Sequence, residues 1–74
     1  MSDFKFEIKE ELGILSENEK TGYAKELNLV SWNNSQAKYD IREWDETHEK
    51  CRKGITLTKE ELKELKDILN DMDI

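Results

Sequence analysis

The chain has 74 residues, of which 35% are hydrophobic and 41% are charged, and its formal net charge is −6. This length allows one small domain, here residues 1–74, with a core so thin that a second copy is a natural source of further burial. The sequence lacks the roughly 20 consecutive apolar residues of a membrane-spanning helix, and its first residues do not resemble a signal peptide. Its single cysteine, Cys51, cannot form an internal disulfide. We therefore expect a soluble cytoplasmic protein, with association to the nucleoid left open.

The charge is distributed unevenly along the chain. Residues 1–19 carry two lysines against six acids and residues 58–74 carry three against six, whereas residues 20–57 carry seven lysines and arginines against six acids. A negative net charge argues against a nucleic-acid partner. A local basic strip can still bind phosphates, because salt at physiological concentration confines its field to about 8 Å.

Four segments have the patterns of β-strands. Phe4 to Glu10 alternates apolar and charged residues, Gly13 predicts a bulge or bend, and residues 16–22 read as a turn. Three further strands are predicted over residues 23–32, 38–44 and 53–57, with a turn at 33–36. In meander order these strands form an antiparallel sheet.

The last segment changes to a helical period. Thr58 followed by Glu61 is a capping box that predicts the start of a helix. Behind it runs one apolar stripe, made of Leu62, Leu65, Ile68, Leu69 and Met72. The predicted fold class is therefore α+β, a four-stranded antiparallel sheet followed by one amphipathic C-terminal helix (ββββα).

The third strand, "YDIREW" with the lysine before it, carries the clearest functional signal. Alternation places Tyr39 and Ile41 on one face and Lys38, Arg42 and Trp44 on the other. Cations that follow phosphates and aromatic rings that stack on bases are what a protein needs to bind a single strand. Asp40 and Glu43 have two interpretations, orienting the arginine through a charge-assisted hydrogen bond or pairing across strands.

These motifs resemble a known family. "YDIREW", a short charged loop and "RKGITLTKEELKEL" are similar to the C-terminal domain of the transcriptional coactivators called positive cofactor four. "FKFEIKEELGILSE" and "KELNLVSWN" resemble its small bacterial branch, the YdbC-type proteins. The resemblance implies a homodimer in which the C-terminal helices pack on each other and strands of both subunits present a concave surface to single-stranded DNA.

We therefore predict a homodimer that binds single-stranded DNA with little sequence preference, in transcription, replication or repair. The protein is not expected to be an enzyme or to carry a cofactor. The predicted nucleic-acid contacts are Lys25, Trp32, Lys38, Arg42, Trp44, Arg52 and Lys53, and the predicted dimer interface is the helical stripe, Leu62, Leu65, Ile68, Leu69 and Met72. Two alternatives stay open, a protein-interaction module that docks a polymerase or replication subunit through the acidic helix, and a small RNA-binding protein.

A metal site is not expected. His48 and Cys51 have the spacing H-x-x-C, but a structural zinc needs four ligands and the sequence has no second pair. His48 is instead predicted to be a solvated loop residue.

Overall fold

The computed structural model describes residues 5–74. Its elements are β1 (Phe6–Asn18), β2 (Tyr23–Trp32), β3 (Lys38–Trp44), β4 (Ile55–Leu57) and the helix α1 (Lys59–Asp71). The strands form one antiparallel sheet in the order β1-β2-β3-β4. This confirms the predicted α+β fold and its ββββα order. Within the described range, no helix combines the length and the apolar character needed to cross a membrane.

Strand β1 differs most from its prediction. It continues to Asn18, so the turn predicted over 16–22 is confined to its second half, where the Gly22 N–H donates to the Asn18 carbonyl at 2.8 Å and Gly22 has a φ of 78°. Its pairing with β2 shifts register after Ile8, Glu11 and Ile14, and the second shift confirms the bend predicted at Gly13. Bulges increase the bend and twist of a strand. Phe4, where the predicted strand begins, lies outside the described residues.

The register of β2 on β3 defines two faces of the sheet. Leu27 lies opposite Ile41 on the face that α1 covers, which we call the helix face, and Asn28 lies opposite Asp40 on the other. We call the second face the aromatic face, because it carries Trp32 and Trp44. The alternation predicted for "YDIREW" is confirmed.

The most deeply buried residues lie on the aromatic face. Val30 and Trp44 have no exposed surface, and Asn28 and Asp40 are at most 1% exposed, whereas α1 contributes no buried residue. Trp44 lies opposite Ala24 at the start of β2, whereas Trp32 lies at the end of the same strand. The indole rings of Trp32 and Trp44 nevertheless stack, with centroids 6.0 Å apart. The sheet therefore curves strongly toward this face.

The C-terminal part begins close to its predicted position. Strand β4 is shorter than predicted and starts at Ile55, and the preceding Gly54 passes so close to Arg42 that a Cβ there would overlap it. Thr58 caps α1, accepting from the Glu61 N–H at 3.1 Å while Glu61 Oε1 accepts from the Thr58 N–H at 2.8 Å. The predicted capping box is confirmed.

Candidate nucleic-acid interface

Three aromatic rings form one cluster on the aromatic face. Phe6 lies opposite Trp32 in the β1–β2 pairing, with ring centroids 5.7 Å apart, and its ring is 5.0 Å from that of Trp44. The two indoles are nearly parallel, with an interplanar angle of 12°. Phe6 and Trp32 are half-buried and Trp44 is fully buried. Solvent therefore reaches the cluster at Phe6 and Trp32.

The burial of Trp44 corrects the expectation of an exposed stacking platform at the end of β3. The ring is packed by Phe6, by Trp32 and by His48, whose ring centroid lies 5.8 Å away. Alternation assigned the correct face but could not show that the sheet closes over it. In this conformation Trp44 positions the Trp32 ring and has no surface to offer a base.

Arg42 is held in a fixed position above the cluster. Its Nε and Nη2 donate to the two carboxylate oxygens of Asp40 at 2.6 and 2.8 Å, and its guanidinium carbon lies 4.4 Å from the Trp32 ring centroid. Thr56 Oγ1 donates to the same carboxylate at 3.2 Å. Of the two interpretations of Asp40, the structure shows the one in which it orients the arginine.

This pairing determines the electrostatic state of Arg42. Burial by itself would lower the pKa of Arg42, but the hydrogen bonds and negative charge of Asp40, with a smaller contribution from Cys51, outweigh burial and raise it. The side chain of Arg42 is 15% exposed and that of Asp40 is not exposed. Most of the arginine charge is therefore neutralised inside the protein, and its planar guanidinium is the part available for stacking.

The remaining predicted cations do not form one strip. Lys38 is exposed on the aromatic face, opposite Val30 and one alternation step from Trp32, and Lys53 is exposed beside β4. Neither lysine has an ion-pair partner within residues 5–74. Lys25 and Arg52 are turned to the other face, where Lys25 lies opposite Glu43 in the register of β2 on β3.

Arg52 is fixed on the helix face by two contacts. Its Nε is 3.9 Å from a Glu43 carboxylate oxygen and its guanidinium lies 4.4 Å over the Tyr23 ring. Arg52, a predicted nucleic-acid contact, therefore lies on the opposite face of the sheet from Arg42. Three predicted cations, Lys25, Lys38 and Lys53, have no ion pair in the described part of the chain, and of these Lys25 lies on the helix face and Lys38 on the aromatic face.

Sequence reasoning missed Phe6 as a site residue. Its alternation with Phe4 and Ile8 indicated only a half-buried strand, and the pairing with Trp32 that brings it into the cluster depends on the register of β1 on β2. A cross-strand aromatic pair is the available signal, but it becomes visible only when the register is known.

His48 is not the solvated loop residue that was predicted. Its Nε2 lies 2.8 and 3.0 Å from the two carboxylate oxygens of Glu26, which is buried. His48 has a φ of 61°. In residues 5–74 no group of three or more His, Cys, Asp or Glu side chains is placed to hold a metal ion.

The loop that carries His48 is organised by Asp45. Its Oδ1 accepts from the Glu49 and Lys50 backbone N–H groups at 3.0 and 3.1 Å. These hydrogen bonds, that of Lys50 first, lower the pKa of Asp45 below its ordinary value. The loop between β3 and β4 is thus held by hydrogen bonds to the Asp45 carboxylate, which accepts them best when it is ionised.

Two comparisons with known proteins bear on the chain. The model of the family described as Transcriptional Coactivator p15 (PC4) matches residues 20–68, a range that includes β2, β3, β4 and most of α1. An uncharacterized protein of Treponema pallidum (strain Nichols) is 42% identical over 72 residues, which cover 97% of this chain and 84% of that protein.

Proposed function

The chain belongs to the transcriptional coactivator p15 (PC4) family, and from this premise we propose that it binds single-stranded DNA with little sequence preference. Family membership supports nucleic-acid binding as the general class of activity. The observation that carries the finer proposal is the half-buried pair Phe6 and Trp32, with the Arg42 guanidinium fixed 4.4 Å from the Trp32 centroid. Aromatic rings and guanidinium planes both stack on unpaired bases.

The phosphates require cations that are not already neutralised. Lys38, on the same face as Trp32, and Lys53, beside β4, are exposed and lack an ion-pair partner among the described residues. In this proposal they contact the backbone while the aromatic cluster contacts bases. Two phosphate contacts per chain give a modest salt dependence, which a second subunit would double.

We also propose that the protein acts as a homodimer joined through α1. The stripe on this helix stays uncovered within one chain, with Ile68, Leu69 and Met72 exposed by 55%, 46% and 46%. Beside it a groove of about 310 Å³ runs between the helix and the helix face of the sheet, lined by apolar residues that include Leu27, Ile41, Leu62 and Leu65. A second copy of the stripe would cover this surface and leave both aromatic faces accessible.

The proposed activity is binding only, without catalysis and without a cofactor. The experiment is a competition titration by fluorescence anisotropy in which labelled oligothymidine is displaced by oligothymidine, by oligouridine RNA and by duplex DNA of equal length. We expect oligothymidine to compete far better than duplex, because stacked base pairs hide the faces that the cluster would contact. Equal or tighter binding of duplex would refute the stacking mechanism, and binding of RNA in preference to DNA would transfer the function to RNA.

A further inference from the structure

A cleft of about 520 Å³ opens where β2 begins and β3 ends, between the second half of β1, the start of β2 and the loop after β3, and Trp44 is one of its lining residues. Its described lining residues include no lysine or arginine but five acids, namely Glu17, Glu19, Glu26, Asp45 and Glu46. A smaller cavity of about 200 Å³ shares Ile14, Glu26 and His48 with it and extends to Asn28. We call the two together the acidic cleft.

The acidic cleft cannot be part of a phosphate-binding surface. Its lining acids give a concave wall with one sign of charge, and such a wall concentrates cations and repels phosphates. It also has apolar surface, since Ile14 is 58% exposed. Apolar surface rimmed by charge is typical of a site that binds another protein.

Two buried polar atoms in the wall have no partner among the described residues. Asn28 is 1% exposed, its Nδ2 donates to Glu26 Oε1 at 3.0 Å, and its Oδ1 has no hydrogen-bond donor. Trp44 Nε1 is likewise buried without an acceptor. A buried polar group that lacks a hydrogen bond costs about 1–3 kcal/mol, so a ligand that supplies one is favoured.

We propose that the acidic cleft docks a lysine- or arginine-rich segment of a protein partner. Such a segment offers cationic N–H groups for the carboxylates and for Asn28 Oδ1, and an aliphatic side chain for Ile14. The volume of the cleft is within the range of about 300–1,000 Å³ that is typical of ligand pockets.

The position of β1 supports a peptide as the occupant. In the order β1-β2-β3-β4 this strand is at the edge of the sheet, so its outer backbone groups have no strand neighbour among the described residues. An extended segment that pairs with an exposed edge is a common mode of peptide recognition. The proposal does not depend on nucleic-acid binding, which is assigned to the aromatic cluster.

The test uses a short labelled peptide of alternating lysine and leucine, with an alternating glutamate–leucine peptide as the charge control and spermidine as a small polycation. We expect the lysine–leucine peptide to bind and to weaken as salt rises, while the glutamate–leucine peptide does not bind. Displacement of the peptide by spermidine at equal concentration would overturn the proposal, because charge without a peptide would then suffice.

A matched pair of variants locates the binding. The triple variant Glu17→Gln, Glu19→Gln, Glu46→Gln removes three exposed carboxylates from the cleft, and Glu60→Gln, Glu64→Gln, Asp67→Asn removes three exposed carboxylates from α1. The first should weaken peptide binding roughly tenfold, as expected for three exposed ion pairs, and should leave oligothymidine binding no weaker than before. The second should leave peptide binding within about twofold. No binding of the peptide, or equal loss in both variants, would refute the acidic cleft as its site.

Discussion

At the scale of single residues, Arg42 has a structural role before it has a binding role. Its guanidinium completes a buried bidentate pair with Asp40, whose carboxylate is shared with Thr56 at 3.2 Å. Removal of one member of such a pair leaves an uncompensated buried charge. Loss of DNA affinity in an Arg42 variant would therefore report on folding as much as on phosphate contact.

This pairing gives a stability prediction. We expect Asp40→Ala to lower the free energy of unfolding by about 3–5 kcal/mol, because Arg42 then stays half-buried without its counter-charge. The matched control is Glu43→Ala, which breaks a partly exposed pair with Arg52 and should cost about 0–1 kcal/mol. Urea unfolding followed by tryptophan fluorescence measures both. Equal costs would mean that the Asp40 pair contributes no more than a surface ion pair.

The aromatic cluster gives a prediction about the affinity for oligothymidine. Trp32→Ala should weaken oligothymidine binding by about 1–3 kcal/mol, the value of one base stacked on an aromatic ring. Tyr23→Leu, which removes an aromatic ring from the opposite side of the sheet, is the control and should leave the affinity unchanged. Anisotropy titration at one salt concentration compares them, with circular dichroism to confirm the fold. Unchanged affinity in the Trp32 variant would exclude this ring from the interface.

Asp45 gives a prediction about pH. Its pKa is lowered in the folded loop, so ionised Asp45 stabilises the loop above its ordinary pKa of 3.8, and this stabilisation is lost as the pH falls through the lower folded value. We expect the amide signals of Glu49 and Lys50 to shift toward unfolded-loop positions as the pH is lowered through this range. NMR titration of the wild type and of Asp45→Asn measures the effect. The same pH dependence in the variant would show that another group closes the loop.

At the scale of elements, the structure shows which parts of the fold the sequence could predict. The bounds of β2 and β3 and the cap of α1 followed from alternation, turn residues and the capping box, because these signals are local. The end of β1 did not, since register shifts at three positions break the alternation that marks a strand. Local signals therefore suffice where a strand is regular and fail where it bends.

The candidate site was predictable only in part, for the same reason. Alternation placed Lys38, Arg42 and Trp44 on one face, and their register confirms it. The burial of Trp44 and the recruitment of Phe6 depend on the curvature of the sheet, which brings together rings from β1, β2 and β3. Such contacts are long-range and have no signature in the neighbouring sequence.

Helix α1 carries the prediction about assembly. Ile68→Lys places a charge in the centre of the proposed dimer contact, where it would be buried without a partner, so the protein should become monomeric or unfold. Asp67→Asn changes the net charge by the same amount at a neighbouring helical position and should remain dimeric. Light scattering at micromolar concentration distinguishes the two. A folded monomer in the wild type would refute the homodimer.

At the scale of the whole molecule, charge is divided between two regions rather than averaged to its net −6. The acidic cleft lies where β2 begins, the aromatic cluster with Lys38 lies toward the end of β2, and the two meet at Trp44. Screening at physiological salt confines the field of each charged group to about 8 Å. An acidic protein can in this way keep a local surface that accepts phosphates.

The central claim is that single strands bind at the cluster around Trp32. Its most direct measurement is the fluorescence of the variant Trp44→Phe, in which Trp32 is the remaining tryptophan, during titration with oligothymidine and with duplex DNA of equal length. Binding at Trp32 should give strong quenching by oligothymidine that weakens as salt rises, and little change with duplex. Binding of oligothymidine without any change in Trp32 emission, or equal quenching by duplex, would contradict it.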